Sequence, residues 1–110
     1  MEITDSKKDK YTLICLTGKL DTITSPRLEE KLLKIIDNGE NNFIFDCSGL
    51  DYISSAGLRV LLMGAKKVKV KSGKIVLTAL KKHIKEVFDI AGFTAIFPIF
   101  ETVEQGETSF

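Results

Sequence analysis

Short apolar runs alternate with amphipathic segments along this chain, and that alternation leaves few folds open. Tyr11–Thr17 (YTLICLT) is β-branched and apolar, with Gly18 expected to stop it. Phe43–Cys47 (FIFDC) is closed by Ser48-Gly49, and Lys74–Thr78 (KIVLT) follows Ser72-Gly73. Ile96–Phe100 (IFPIF) reads as a last short strand. Pro98 cannot donate to a ladder, so that strand belongs at a sheet edge. Ile3 is read as the start of a first edge strand that returns through a turn at Lys7 to Lys10.

Between these runs the period changes from two to 3.6. Ser25 reads as an N-cap with Pro26 at the first helical position. Leu28, Leu32, Ile35 and Ile36 then recur at helical spacing, and Asn38-Gly39 closes the segment. A second helix is expected from Ser54-Ser55 toward Ser72-Gly73, with Leu58, Leu61, Leu62 and Ala65 on its buried face. A third carries Leu80, Ile84, Val87, Phe88 and Ala91 and ends at Gly92. Thr102 to Gln105 forms a capping box that opens a short, fraying C-terminal turn. The order β(β)αβαβαβ(α) implies an α/β fold, with a largely parallel sheet packed against helices.

Composition closes off several functions. The 110 residues are expected to form one domain, 1–110, large enough for a core without disulfides or a metal. Sixteen Lys+Arg against 15 Asp+Glu leave a net charge of +1, unlike a dedicated nucleic-acid binder. No apolar run approaches the roughly 20 residues of a membrane span, and the start of the chain lacks the apolar segment of a secretory signal. The protein is therefore expected in the cytoplasm, without membrane insertion. Cys15 and Cys47 each sit inside an apolar run, and both are read as buried thiols. A G-x-S-x-G elbow, a P-loop and a dinucleotide fingerprint are all absent, so no catalytic residue, cofactor or metal ligand is assigned.

The segment Asp46–Leu62 (DCSGLDYISSAGLRVLL) reads as a strand end, a Ser-Gly turn, a six-residue loop and a helix start. Loops at strand C-termini are where α/β folds bind ligands. A helix start adds free amides and the positive end of the macrodipole, which favour a phosphate by about 0.3–1 kcal/mol when exposed. Ala56 and Gly57 keep the first turn open to another protein. Ser54 or Ser55 could equally serve only as an N-cap, worth about 1 kcal/mol, and Asp46 could merely cap a turn.

This segment resembles the signature of the STAS domain (sulfate transporter and anti-sigma factor antagonist), Asp-x-Ser-Gly followed by Ser-Ser/Ala/Thr-Gly-Leu. Gly18-Lys19-Leu20-Asp21 resembles the family's Gly-x-Leu/Ile-Asp. Lys85–Phe88 through Ala91-Gly92-Phe93 resembles its third helix and following turn. The resemblance covers nearly the whole chain. It implies a single STAS-like domain: a mixed, mostly parallel sheet of four or five strands against three or four helices.

The resemblance also implies a bacterial partner switch. The unphosphorylated antagonist binds an anti-sigma factor that is also a serine kinase, and so frees a sigma factor. Phosphorylation by that kinase separates the pair, and a metal-dependent serine phosphatase restores the binding form. By position the acceptor is Ser55, with Ser54 the alternative, since Ser54 stands where the family often has Asp and Ala56 where it often has Ser or Thr. Asp46, Ser48 and Gly49 are expected to form the phosphosite loop.

The partner-binding face implied by the resemblance comprises Asp21, Thr22, Ser54, Ala56, Gly57, Arg59, Val60 and Met63. Val60 and Met63 fall off the Leu58/Leu61/Leu62/Ala65 stripe, so at least one is expected to be an exposed docking contact. Two other functions stay open: a STAS scaffold in a stress-signalling or lipid-transport complex without serine phosphorylation, and a nucleic-acid binder using Lys66, Lys67 and Lys69. The lysine run reads first as a solvated helix C-terminus. His83, among Lys81, Lys82 and Lys85, is given no acid–base role. The chain is expected to be a monomer.

Overall fold

A computed structural model describes residues 1–110. Its elements are β1 (Glu2–Lys7), β2 (Thr12–Leu20), α1 (Ser25–Asp37), β3 (Asn42–Ile53), α2 (Ser55–Val70), β4 (Lys74–Thr78), α3 (Lys82–Ile90), β5 (Ile99–Phe100) and α4 (Val103–Glu107). A 3-10 turn at Phe93–Ala95, which the sequence pattern did not announce, precedes β5. The five strands form one sheet in chain order. β1 runs antiparallel to β2, and every other pair is parallel. The mixed, mostly parallel α/β sheet expected from the alternation is therefore observed.

Side chains on one face of the sheet, among them Ile14, Leu16, Phe43, Phe45, Ile75 and Leu77, pack with Leu28, Leu32, Leu61, Ile84 and Phe88 from α1, α2 and α3. Successive right-handed crossovers in one direction put all three helices on that face. α4 covers part of the opposite face, over Tyr11, Ile44 and Val76. It does not fray: Tyr11 Oη donates to Glu107 at 2.6 Å, the Tyr11 and Phe110 rings stack at 5.8 Å, and Gly106 is buried on the sheet. Half of the capping box forms, with Thr102 accepting from the Gln105 amide, while the Gln105 side chain accepts from the Glu101 amide at 3.0 Å in place of that of Thr102.

Several boundaries differ from expectation. β2 passes through Gly18 (φ +105°) to Leu20, because an extended partner lies beside it. β3 likewise does not end at Ser48-Gly49 but runs on to Ile53. Two register shifts against β2, between Cys15 and Thr17 and between Gly18 and Lys19, absorb the extra residues of β3 as bulges. Thr24, not Ser25, occupies the N-cap of α1, and Ser25 is buried. α3 starts at Lys82, leaving Leu80 in the preceding loop, and Ala91 is exposed. β5 is a two-residue edge strand that Pro98 precedes, with the Pro98 carbonyl accepting from Leu77 N at 3.0 Å.

The buried face of α2 is Gly57, Val60, Leu61, Gly64 and Val68, while Leu58, Leu62 and Ala65 are half-buried. Glycines set this rotation. A Cβ at Gly64 would sit 2.6 Å from Leu32 Cδ2, and one at Gly57 would sit 2.9 Å from Leu20 Cγ and Ile53 Cγ1. A pattern that counts only large apolar residues misses such a face. Both cysteines are free thiols. Cys47 is buried, and burial pushes its thiol up to about 12. Cys15 points to the other, less covered face and is only half-buried.

Candidate functional site

Ser54 and Ser55 stand where β3 gives way to α2, and the backbone assigns them different work. Ser54 is extended (φ −97°, ψ 173°) and is the N-cap, its hydroxyl accepting from Gly57 N at 3.4 Å. Its amide donates to the Leu20 carbonyl at 2.9 Å, and its carbonyl accepts from Leu58 N at 3.0 Å. Ser55 is the first helical residue and is exposed. No acidic side chain occupies the first turn of α2 and the Ser54 hydroxyl caps only the Gly57 amide, so no negative charge offsets the dipole there. Ser54 is thus committed to the cap and half-buried, while Ser55 is open to solvent.

The Ser54–Leu20 bond ties this helix start to the loop after β2. There the Asp21 carboxylate accepts from the amides of Ile23 and Thr24, each at 3.0 Å, and Thr24 Oγ1 accepts from Asp21 N at 2.9 Å and donates to the Lys19 carbonyl at 2.8 Å. The Thr24 amide, with the Ile23 amide and the Thr24 hydroxyl, holds the Asp21 carboxyl below its ordinary value. Asp21 is half-buried and organises the loop, which presents Thr22 and Ile23 to solvent. Ile23 is 84% exposed.

Between the start of α1 and α2 lies an open groove of about 600 Å³, bordered by Thr22, Pro26, Glu29, Ala56, Arg59 and Met63. The structure therefore brings Thr22, Ala56, Arg59 and Met63 to one groove, and Ser55 precedes Ala56 at the exposed start of α2. Val60 is 5% exposed and packs in the core, so it is not an exposed docking edge and reaches solvent only at the floor of this groove. Gly57 lets α2 sit close to Leu20 and Ile53, which draws Val60 inward. Met63 is half-buried at the groove's border. Gly57 is buried and acts through packing, not contact.

Asp46, Ser48 and Gly49 are not brought to the serines. All three lie within β3, and Asp46 is seven residues, about 23 Å at ~3.3 Å per residue, down the strand from Ile53. Asp46 accepts from Ser48 N at 3.0 Å across the first bulge. A Cβ at Gly49 would meet Thr17 Oγ1 at 2.8 Å and the Leu16 carbonyl oxygen at 3.1 Å, so neighbouring backbone requires glycine there. The Asp-x-Ser-Gly element shapes the strand and not the turn that carries Ser54 and Ser55.

Two features near the helix start escaped the sequence pattern. Tyr52 is 48% exposed and pairs in register with Lys19. Asp51 pairs with Lys81, which holds its carboxyl below the ordinary value, and His83 Nε2 lies 2.7 Å from the Asp51 carbonyl oxygen. This fastens the start of α3 to the end of β3. A lone apolar residue between two threonines was the available signal for Ile23; nothing local pointed to Tyr52. Lys67 and Lys69 sit in the last turn of α2, where they offset the dipole. No helix is long and apolar enough to cross a membrane.

The STAS domain profile matches residues 2–106. BtrV of Bordetella bronchiseptica, named as a candidate anti-sigma factor antagonist, is 41% identical over 110 residues, covering 100% of this chain and 95% of BtrV. A candidate anti-sigma factor antagonist of Thermotoga maritima superimposes with a TM-score of 0.93 at 15% identity, over 97% of this chain and 92% of that one. Unphosphorylated SpoIIAA, an anti-sigma factor antagonist, gives 0.85 at 19% identity over 96% and 92%. Its phosphorylated form, from Bacillus, gives 0.78 at 17% identity over 98% of each chain. At these identities the solved structures show a shared fold.

Proposed function

The chain belongs to the STAS domain family, and from that premise we propose that it is an anti-sigma factor antagonist switched by phosphorylation of Ser55. The unphosphorylated form binds an anti-sigma factor that is also a serine kinase, and so frees a sigma factor. The observation that carries this reading is the division between the serines: Ser54 is committed to capping, while Ser55 offers an exposed hydroxyl at the open end of α2. BtrV's name and the existence of SpoIIAA in two phosphorylation states support it.

The docking face consists of the Asp21–Thr24 loop and the first turns of α2, with Thr22, Ala56, Arg59 and Met63 as contacts and Ile23 and Tyr52 added at its margins. The kinase transfers the γ-phosphoryl group of ATP to Ser55 Oγ; ADP leaves and the hydroxyl proton passes to a base on the kinase. This adds a charge of about −1.5 to −2, moving the net charge from +1 to about −1. The helix start tolerates that charge, so the fold persists. A partner packed over Ser55 would have to desolvate the phosphate or supply a cation of its own for it, so binding is lost. A metal-dependent serine phosphatase reverses the step. The chain is a regulatory binding protein and supplies no catalytic group.

The test is phosphosite mapping with Mg-ATP and kinase-competent extract from the source organism, on wild type, Ser55→Ala and Ser54→Ala, followed by capture of the kinase. One phosphate on Ser55, lost only in Ser55→Ala, together with kinase capture by the unmodified form alone, is expected. Absence of phosphate on either serine would overturn the switch and leave a non-switching STAS scaffold.

A further inference from the structure

The residue one helical turn beyond Ser55 is Arg59, and its surroundings are unusual for this surface. The chain has two arginines. Arg27 donates to the Met1 carbonyl at 3.1 Å. Arg59 is exposed and enters none of the ion pairs, which are Lys7–Glu40, Lys31–Asp5, Lys81–Asp51 and Lys85–Asp89, and makes no side-chain hydrogen bond. It is a free guanidinium on the same face as the exposed serine.

Helix geometry gives this pair a direction. Positions i and i+4 lie above one another, about 6 Å apart along the axis. Long helical side chains lean back over the turn that precedes their own Cα. By that geometry Arg59 can reach back over Ser55, and an anion N-terminal to a cation is the favourable order. Ser54 is five residues away and on a different face, and its hydroxyl is held by Gly57 N. Guanidinium binds phosphate through two parallel N–H donors, a match that lysine lacks.

We infer that Arg59 is the internal counter-ion of phosphorylated Ser55, a reading that rests on Ser55 being the acceptor. The phosphate then does two things at once. It places charge on the docking face, and it withdraws from that face the cation the unmodified protein offers to its partner. Arg59 is a positioning residue: it fixes the phosphate against the first turn of α2 and favours its dianion.

The experiment needs no kinase. Phosphoserine is encoded at position 55 during synthesis, and its second ionisation, near pH 6 in a free phosphoserine, is followed by 31P NMR in wild type, Arg59→Ala and Arg59→Lys. Wild type is expected to titrate about 0.2–0.7 of a pH unit below Arg59→Ala, the range of an exposed ion pair, with Arg59→Lys between them. Phosphoserine encoded at position 54 is expected to titrate alike with and without Arg59. Superimposable curves for wild type and Arg59→Ala at position 55 would overturn the inference, as would an equal dependence at position 54. Because the phosphate is installed by synthesis, this result stands apart from the mapping in extract, which alone decides whether Ser55 is the natural acceptor.

Discussion

The Ser54 amide and the Leu20 carbonyl are joined at 2.9 Å. That one bond closes the C-terminal end of the β2–β3 pair and sets the loop after β2 beside the first turn of α2. Two segments more than thirty residues apart in sequence thereby form one surface, with Asp21 bracing one side and Ser54 capping the other.

The two serines should separate by stability. Ser54→Ala removes the N-cap acceptor and is expected to cost about 0.5–1 kcal/mol, toward the low end because the bond is 3.4 Å long. Ser55→Ala touches an exposed side chain and should stay within ~0.5 kcal/mol of wild type. Urea melts of both variants measure this, and an equal loss for both would contradict the assignment of the cap.

Gly57→Ala should destabilise despite the better helix former. The helix gains up to about 1 kcal/mol, but the new Cβ sits 2.9 Å from both Leu20 Cγ and Ile53 Cγ1, inside a packed core. Overpacking of that kind costs about 1–3 kcal/mol. A lowered melting temperature is expected; a raised one would mean that α2 can shift freely away from the sheet.

Asp21→Ala should loosen the loop in a pH-dependent way. Bonds from the Thr24 and Ile23 amides to the charged carboxylate lower its folded-state pKa, so its stabilisation is present above 3.8, its ordinary value, and is lost as pH falls through the lowered folded value. Wild type and Asp21→Ala should therefore differ most near neutrality and converge in strong acid. Amide hydrogen exchange at Ile23 and Thr24 should be faster in the variant near pH 7, and a constant gap down to the lowest pH would exclude the carboxylate as the brace.

The C-terminal helix should come loose in alkali. Burial and the nearby Glu107 carboxylate raise the Tyr11 hydroxyl from 10.0 to about 12. A raised value favours the protonated folded form, so this stabilisation is complete below pH 10 and disappears as pH rises toward 12. Tyr11→Phe should lose about 1.5–3 kcal/mol, as for a hydrogen bond to a charged group. It should also lose the alkaline step; an identical alkaline transition in the variant would place the titrating group elsewhere.

Much of this architecture was legible in the chain. The switch between period-two runs and period-3.6 stripes dictated alternating strands and helices, and short apolar strands dictated parallel pairing under crossover helices. Ser54-Ser55 marked the start of α2, and Pro98 marked an edge. Local chemistry decides these features, so local sequence reveals them.

What the sequence left open depended on partners distant along the chain. Whether β3 stopped at Ser48-Gly49 was decided by β2, whose extension to Leu20 supplied hydrogen-bond partners for the bulged continuation to Ile53 and carried Asp46 away from the serines. Whether Val60 met solvent was decided by Gly57 and Gly64, which let α2 approach Leu20 and Leu32 and rotated its buried face. Whether the C-terminus frayed was decided by Tyr11, almost a full chain length away. The sequence by itself determined the class of fold and the serines at the helix start, because periodicity and capping act over a few residues. Only the tertiary structure decided which of the two is the cap, because the Ser54 amide pairs with the Leu20 carbonyl of a distant strand and so holds Ser54 extended at the end of the sheet.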